Sequence, residues 1–302
     1  NDAAVDAIFG PITGGLTIPV SLGGESDTFY QEFRLNGGSD TLTWFAGMSY
    51  YSEDLEMDKY HVDYVETVYG LGALGSIRIE NDAENESYGA YGDVTWHLSD
   101  QLALIGGLRW SRDEKDWCTN TLQDDFGDAG FPTDGKLCDS EDWDEVTYRL
   151  VAQYNISDDV MVFASVAEGF KGGGFNNSAS DTNGDYMGDT IVSFDPETSI
   201  AYEIGVKSTA MNDRLQLNGS AFYTDYEDFQ IQTLTLEYGL QIANVGDAET
   251  MGLEAELSFW PTDGLVLMAN YTHLDAELTS GGFDGNDLAY APEHTYSVGA
   301  NY

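Results

Sequence analysis

Side-chain polarity in this chain alternates with a period of two, and the charges fall almost entirely on one of the two faces. Ile200, Tyr202, Ile204 and Val206 alternate with Ser199, Ala201, Glu203, Gly205 and Lys207. Leu215, Leu217, Gly219, Ala221 and Tyr223 alternate with Gln216, Asn218, Ser220, Phe222 and Thr224. The same pattern sets Leu253, Ala255, Leu257 and Phe259 against Glu254, Glu256 and Ser258, and Val146, Tyr148, Leu150, Ala152 and Tyr154 against Thr147, Arg149, Gln153 and Asn155. Leu102, Leu104, Leu108 and Trp110 oppose Arg109 and Ser111, while Tyr88, Ala90, Val94, Trp96 and Leu98 oppose Tyr91, Asp93, Thr95 and His97. Successive side chains of a strand point to opposite faces, so this pattern specifies strands with one apolar side. No stretch of about 18 apolar residues occurs, which excludes a transmembrane helix.

The connections alternate as well. Strands near 28–36 and 41–52 are joined by Asn36-Gly37-Gly38-Ser39-Asp40. Further short turns are expected at Ser99-Asp100, Ser157-Asp158, Met211-Asn212-Asp213 and Pro261-Thr262-Asp263-Gly264, all rich in turn-forming residues. Between them lie long links near 53–86, 113–144, 172–198, 227–249 and 276–293. Short turns at one end and long loops at the other characterise a transmembrane β-barrel, and strands of about ten residues suffice to cross at a tilt. A soluble β-sandwich also alternates, but Trp44, Tyr50, Trp96, Trp110, Tyr154, Tyr202 and Trp260 cluster near strand ends like interfacial girdles. A lipid-facing Arg or Lys at mid-membrane costs about 2–4 kcal/mol. Arg34, Arg109, Arg149, Glu203, Lys207, Glu254 and Glu256 are therefore assigned to the lumen.

Composition narrows the function. The chain has 302 residues and a net charge of −43, with every Lys and Arg at or before Arg214. Nucleic-acid binding is excluded, because phosphate contacts need clustered cations. The aromatic content (13%) argues against disorder and for a folded acidic surface in a saline or divalent-rich setting. The chain opens on Asn-Asp-Ala-Ala-Val-Asp, without the basic and apolar regions of a signal peptide, and stops at Asn301-Tyr302 within an alternating stretch. It reads as a portion of a longer polypeptide.

Residues 159–177 contain Gly169-Phe170-Lys171-Gly172-Gly173-Gly174-Phe175-Asn176. This stretch resembles the Gly-Phe-Lys-x-Gly-Gly-Phe-Asn signature of TonB-dependent outer-membrane receptors. Gln31-Glu32-Phe33-Arg34-Leu35, Leu108-Arg109-Trp110 and Tyr202-Glu203-Ile204-Gly205-Val206-Lys207-Ser208 resemble strands of the same family. So do Asn244-Val245-Gly246-Asp247-Ala248 with Gly252-Leu253-Glu254-Ala255-Glu256, and Ala291-Pro292-Glu293-His294-Thr295-Tyr296, all in the family's order. The resemblance implies an all-β, antiparallel transmembrane barrel of about 22 strands plugged by an N-terminal domain. About eleven strands are expected here, half a wall, so residues 1–302 read as a mid-barrel portion without plug or TonB box. Within it, 1–27 is an expected outer loop and 28–302 carries the strands.

The family implies location in the outer membrane of a Gram-negative bacterium. It also implies TonB-dependent active import of a scarce nutrient such as an iron–siderophore complex, haem, cobalamin or a saccharide. The implied partners are TonB (through the N-terminal region), a small-molecule ligand and outer-membrane lipid. The alternative is a passive porin or surface-binding barrel without energy coupling. No catalytic set such as Gly-x-Ser-x-Gly or His-Glu-x-x-His is present, so the chain reads as a non-enzyme. No intrinsic cofactor is expected, although the transported ligand can carry iron. The scarcity of cations favours a neutral, cationic or sugar-like ligand held by Tyr, Trp and Asn.

Phe170, Lys171, Gly172, Gly173, Gly174, Phe175 and Asn176 are candidates for contacting ligand at the rim. The competing expectation is that the glycines shape the rim and Lys171 pairs with a lumen carboxylate. Cys118 and Cys138 lie in a polar stretch, and at an oxidising cell surface a loop-closing disulfide is expected. Asp181, Asn183 and Asp185 resemble the start of a calcium loop but lack its sixth-position glycine and twelfth-position glutamate, leaving weak calcium binding. His61, His97, His273 and His294 are scattered along the chain with no ligand spacing.

Overall fold

The computed structural model describes residues 20–64, 75–124, 133, 135–184, 187–235 and 239–302. Among these residues are fifteen strands: β1 (Val20–Gly38), β2 (Leu42–Tyr64), β3 (Gly75–His97), β4 (Leu102–Asp124), β5 (Leu137–Ser157), β6 (Val160–Lys171), β7 (Gly174–Ser180), β8 (Thr190–Phe194), β9 (Glu197–Ala210), β10 (Leu215–Glu227), β11 (Gln230–Thr235), β12 (Gly239–Asn244), β13 (Ala248–Thr262), β14 (Leu265–Leu278) and β15 (His294–Asn301). Eleven of them form one sheet in the order β1-β2-β3-β4-β5-β6-β9-β10-β13-β14-β15, and every pairing is antiparallel. β7–β8 and β11–β12 are separate hairpins inserted between sheet strands at the end with long connections. One 3-10 turn, Gly281–Phe283, sits between β14 and β15.

The short turns fall where the sequence places them. In the Met211-Asn212-Asp213 turn three successive residues take positive φ (56, 54 and 62°). Asn and Asp tolerate that region because their short polar side chains bond locally, and here Met211 is carried along.

Register puts the two faces on opposite sides of the wall. Phe33, Leu35, Leu108, Leu150, Ile204 and Leu253 share the outward face and are exposed, Leu108 at 63% and Ile204 at 64%. In water such a surface would be a docking patch far above the usual size; against hydrocarbon it is the solvated side. β1 and β15 form the two edges of the sheet, and in lipid an edge needs a partner strand for its backbone groups.

The strands are longer than a bilayer requires, which corrects the expected long links. Residues 53–64 and 75–86 continue β2 and β3, and 113–124 and 137–144 continue β4 and β5. Strand β1 likewise begins at Val20, so 20–27 is paired ribbon against β2, not loop; residues 1–19 lie outside those described. The physical reason is that loops able to pair satisfy their own backbone groups as ladders, and residues such as Thr and Tyr favour the strand.

Among the described residues few are buried; the largest group, including Ile79, Thr119, Thr121, Ala179 and Ile191, lies where the β7–β8 hairpin crosses the upper parts of β3, β4 and β5, and Ala248, Ala276 and Leu278 are buried at the top of β13 and β14. The compact core of this chain thus lies above the membrane, under a folded-in loop.

Candidate lumen recess and rim

Alternation on β1–β4 brings Glu32, Arg34, Ser49, Tyr91, Arg109 and Ser111 onto one lumen-facing patch. The patch lines a recess of about 460 Å³ that continues upward to Asp113, Phe170 and Gly172. Glycines make the room. A Cβ at Gly47 would lie 2.6 Å from the Tyr91 hydroxyl, and one at Gly89 would lie 2.5 Å from Arg109 Nη2. A Cβ at Gly107 would meet Asp93 Oδ2 at 2.7 Å. Small residues on the lumen face therefore let long polar side chains lie flat against the wall.

Within the recess the Tyr91 hydroxyl donates to Glu32 Oε1, and Arg109 Nε donates to Ser111 Oγ at 2.8 Å. The Arg109 guanidinium sits 5.4 Å from the Tyr91 ring centroid, and that of Arg34 lies 3.9 Å from the Phe45 centroid. Among the described residues neither Arg34 nor Arg109 has a carboxylate within ion-pair distance. Arg149, by contrast, is neutralised: its Nε and Nη2 both donate to Asp93 Oδ2 at 2.8 Å. Lys207 stands 5.8 Å from the Phe163 ring centroid, beside Glu203, Glu254 and Glu256 in a second lumen cluster.

The glycine-rich signature ends β6 and starts β7. A Cβ at Gly173 would lie 2.5 Å from Phe194 O and 2.7 Å from the Trp143 ring; one at Gly174 would lie 2.8 Å from the Phe194 ring. The glycines are what lets the chain cross over Trp143 and press the β7–β8 hairpin onto the raised β4–β5 ribbon. Lys115 Nζ fixes the crossing by donating to Gly173 O at 2.6 Å, and its burial there pushes its pKa down. Lys171 Nζ lies 3.7 Å from Glu197 Oε2, and Phe170 lines the recess.

Asn176 is buried, and its amide brackets the backbone of Ile242 like one rung of a ladder (Nδ2 to Ile242 O 2.9 Å, Ile242 N to Oδ1 2.8 Å). Gln230 Nε2 donates to Gly172 O at 3.2 Å and Asp195 O at 2.9 Å, while its N–H donates to Glu197 Oε2 at 2.7 Å. Asn244 Nδ2 donates to Asp195 O (2.9 Å) and Asp228 O (2.7 Å). Three amide side chains thus knot the two inserted hairpins together over the wall. Beside Asn176, the knot and the glycine crossing depend on Trp143, Lys115, Gln230 and Asn244; the sequence offered no signal for the first three of these, and Asn244 sits within a family motif.

Cys118 and Cys138 are directly opposed on β4 and β5 and form a disulfide. They staple a paired ribbon, not a loose loop. Asp181 Oδ1 accepts the N–H groups of Asn183 (3.2 Å) and Gly184 (2.7 Å), so this carboxylate closes its own turn; Asp185 lies outside the described residues. The Asp189 carboxylate accepts from Thr182 N at 3.0 Å and Oγ1 at 2.9 Å, and these bonds hold its pKa below the usual range. The histidines are not all scattered: His273 and His294 are cross-strand partners.

The fold and the signature agree with what the chain is similar to. The TonB dependent receptor-like β-barrel family matches residues 7–302. The pesticin receptor of Yersinia enterocolitica is 30% identical over 69% of this chain and 29% of that protein. A probable TonB-dependent siderophore receptor of Acinetobacter baumannii is 25% identical over 74% of this chain and 30% of its own length. Among solved structures, the ferric yersiniabactin uptake receptor of Yersinia pestis superposes with a TM-score of 0.74 at 24% identity, over 94% of this chain and 40% of that one. The chain spans under a third of the curated relatives it matches. It belongs to the TonB-dependent receptor β-barrel family of the Gram-negative outer membrane.

Proposed function

We propose that the complete receptor imports a ferric siderophore-like chelate across the outer membrane, using energy delivered by TonB. The observation that carries this reading is the lumen recess, where the guanidinium groups of Arg34 and Arg109, without an ion-pair partner among the described residues, stand among Tyr30, Tyr51 and Tyr91 beneath the knotted rim, with Glu32 and Asp113 in the same lining. Guanidinium forks and phenols suit the oxygen-rich, anionic shell of an iron chelate. This replaces the expectation of a neutral, cationic or sugar-like ligand: cations are scarce overall, but Arg34 of β1 and Arg109 of β4 face one recess. The similar receptors, named for pesticin, ferric yersiniabactin and a siderophore, support the same class. In this reading the rim hairpins β7–β8 and β11–β12 meet the ligand first and the recess takes it next.

Uptake of a panel of iron-55-labelled siderophores by cells expressing the full-length gene tests the proposal. Saturable import of at least one chelate that disappears in a strain lacking TonB is expected. Equal uptake with and without TonB would make the barrel a passive channel instead. Replacing Arg34 and Arg109 together by Gln is expected to weaken chelate binding about tenfold or more, since a charge-assisted bond contributes about 1.5–3 kcal/mol.

A further inference from the structure

His273 lies on β14 and His294 opens β15, and the two are Cα partners on the outermost rung joining these strands. Their rings stack with centroids 5.0 Å apart and planes 26° from parallel. Register places both on the side of Tyr271 and Tyr296, facing away from the lumen and its recess. Glu293, the residue before β15, puts Oε1 3.5 Å from His294 Nε2. One ligand atom from each of the three residues lies within 4.8 Å of the others.

The second nitrogen of each ring is already held. His273 Nδ1 is 3.2 Å from the Glu293 carbonyl oxygen, which can only accept, so Nδ1 carries the proton and Nε2 keeps its lone pair. His294 Nδ1 is 3.1 Å from the Tyr271 hydroxyl, which can accept the Nδ1 proton in the same way. An imidazole whose other nitrogen donates to a carbonyl or hydroxyl oxygen is oriented and made more basic, the arrangement that metal-ligating histidines adopt.

We propose that His273, His294 and Glu293 bind one divalent cation of the zinc class, leaving a further position for water. Two imidazoles and one carboxylate suit Zn²⁺ and its Irving–Williams neighbours, whereas Ca²⁺ and Mg²⁺ require shells of oxygen. The ion joins β14 to the outer end of β15, on the last rung the two strands share. A cation that binds the paired strands and not the separated ones stabilises the pairing by mass action.

The test uses the full-length receptor, purified in detergent through a tag without histidine and stripped with chelator. Calorimetric titration with Zn²⁺ is expected to show one saturable site per chain, and Co²⁺ is expected to give the visible absorption of a low-coordinate N/O site. His273→Ala and His294→Ala should each weaken Zn²⁺ binding tenfold or more, Tyr271→Phe should weaken it less, and His97→Ala should leave it unchanged. Zn²⁺ should also slow amide exchange in β14 and β15 of the parent protein but not of His273→Ala. Should an alanine variant fail to assemble, Glu293→Gln keeps the side-chain shape and reads the same loss. No stoichiometric binding to the parent, or undiminished binding when both histidines are replaced, overturns the proposal.

Discussion

The two halves of this wall solve the same crossing problem with different amounts of chain. Strands β2, β3 and β4 have 23 residues each, while β9, β10, β13 and β14 have 13 to 15. Both halves carry the apolar outward face that lipid demands, so the bilayer sets only the lower part of each strand. The surplus in the first half becomes a raised, disulfide-stapled ribbon, and the β7–β8 hairpin folds against it. Among the described residues the second half has no such platform; its β11–β12 hairpin is held by Asn176 reaching from β7 and by Asn244 at its own end. Lipid fixes what is repeated, and the outer face is built from what exceeds it.

One strand contains both regimes and allows the contrast to be broken. Leu150 and Ser140 lie on the same outward face of β5, ten residues apart. Leu150→Arg is expected to destabilise the inserted barrel by about 2–4 kcal/mol, and Ser140→Arg by about 0–1 kcal/mol. Folding titrations of the full-length receptor into lipid vesicles measure both, and equal costs would place the membrane boundary wrongly. Replacing Cys118 and Cys138 by Ser is expected to cost about 3 kcal/mol on the loop-entropy estimate. The loss should appear as faster exchange or proteolysis of the raised ribbon, leaving β9–β14 untouched.

Smaller effects sharpen how the rim is docked. Gly173→Ala drives a Cβ into Phe194 O and the Trp143 ring, an overpacking expected to cost about 1–3 kcal/mol. Gly106→Ala, whose Cβ would meet Leu150 at an ordinary 3.5 Å, is the matched control. Limited proteolysis within 174–194 should rise only in the first variant. Asn176→Ala removes two bonds to Ile242 and should release β11–β12 from β7 at a cost of about 1–3 kcal/mol. Hydrogen exchange at Ile242 reports it directly. The smallest effect is electrostatic. Asp189 titrates below the usual carboxylate value near about 3.9, so its bonds to Thr182 stabilise the loop fully above that pH and are lost as pH falls through its folded pKa. Exchange at the Thr182 N–H should therefore accelerate only under strongly acidic conditions.

Much of the wall was legible because each strand advertises itself locally. Period two, turn residues and the confinement of charge to one parity are properties of neighbouring residues, and lipid on one side makes that parity obligatory. The loop region was not legible for the opposite reason. Residues 113–124 lack an apolar face, and in 53–64 the apolar residues change parity between Met57 and Tyr60, so polarity does not distinguish a paired ribbon from a loop. The signature glycines were recognisable as rim-shaping residues. That Trp143 and Phe194 are what they make room for depends on strands 20 to 30 positions away in sequence. His273 and His294 show the same limit, since register across the β14–β15 connection alone brings them together.

Sequence by itself determined the strand class, the sidedness of the wall and the family, because each follows from local pattern against a fixed solvent boundary. Tertiary structure decided the raised ribbon, the knotted rim, the partners of each lumen cation and the histidine pair. These depend on which distant backbone or side chain satisfies a polar group above the membrane, and no local pattern encodes that choice.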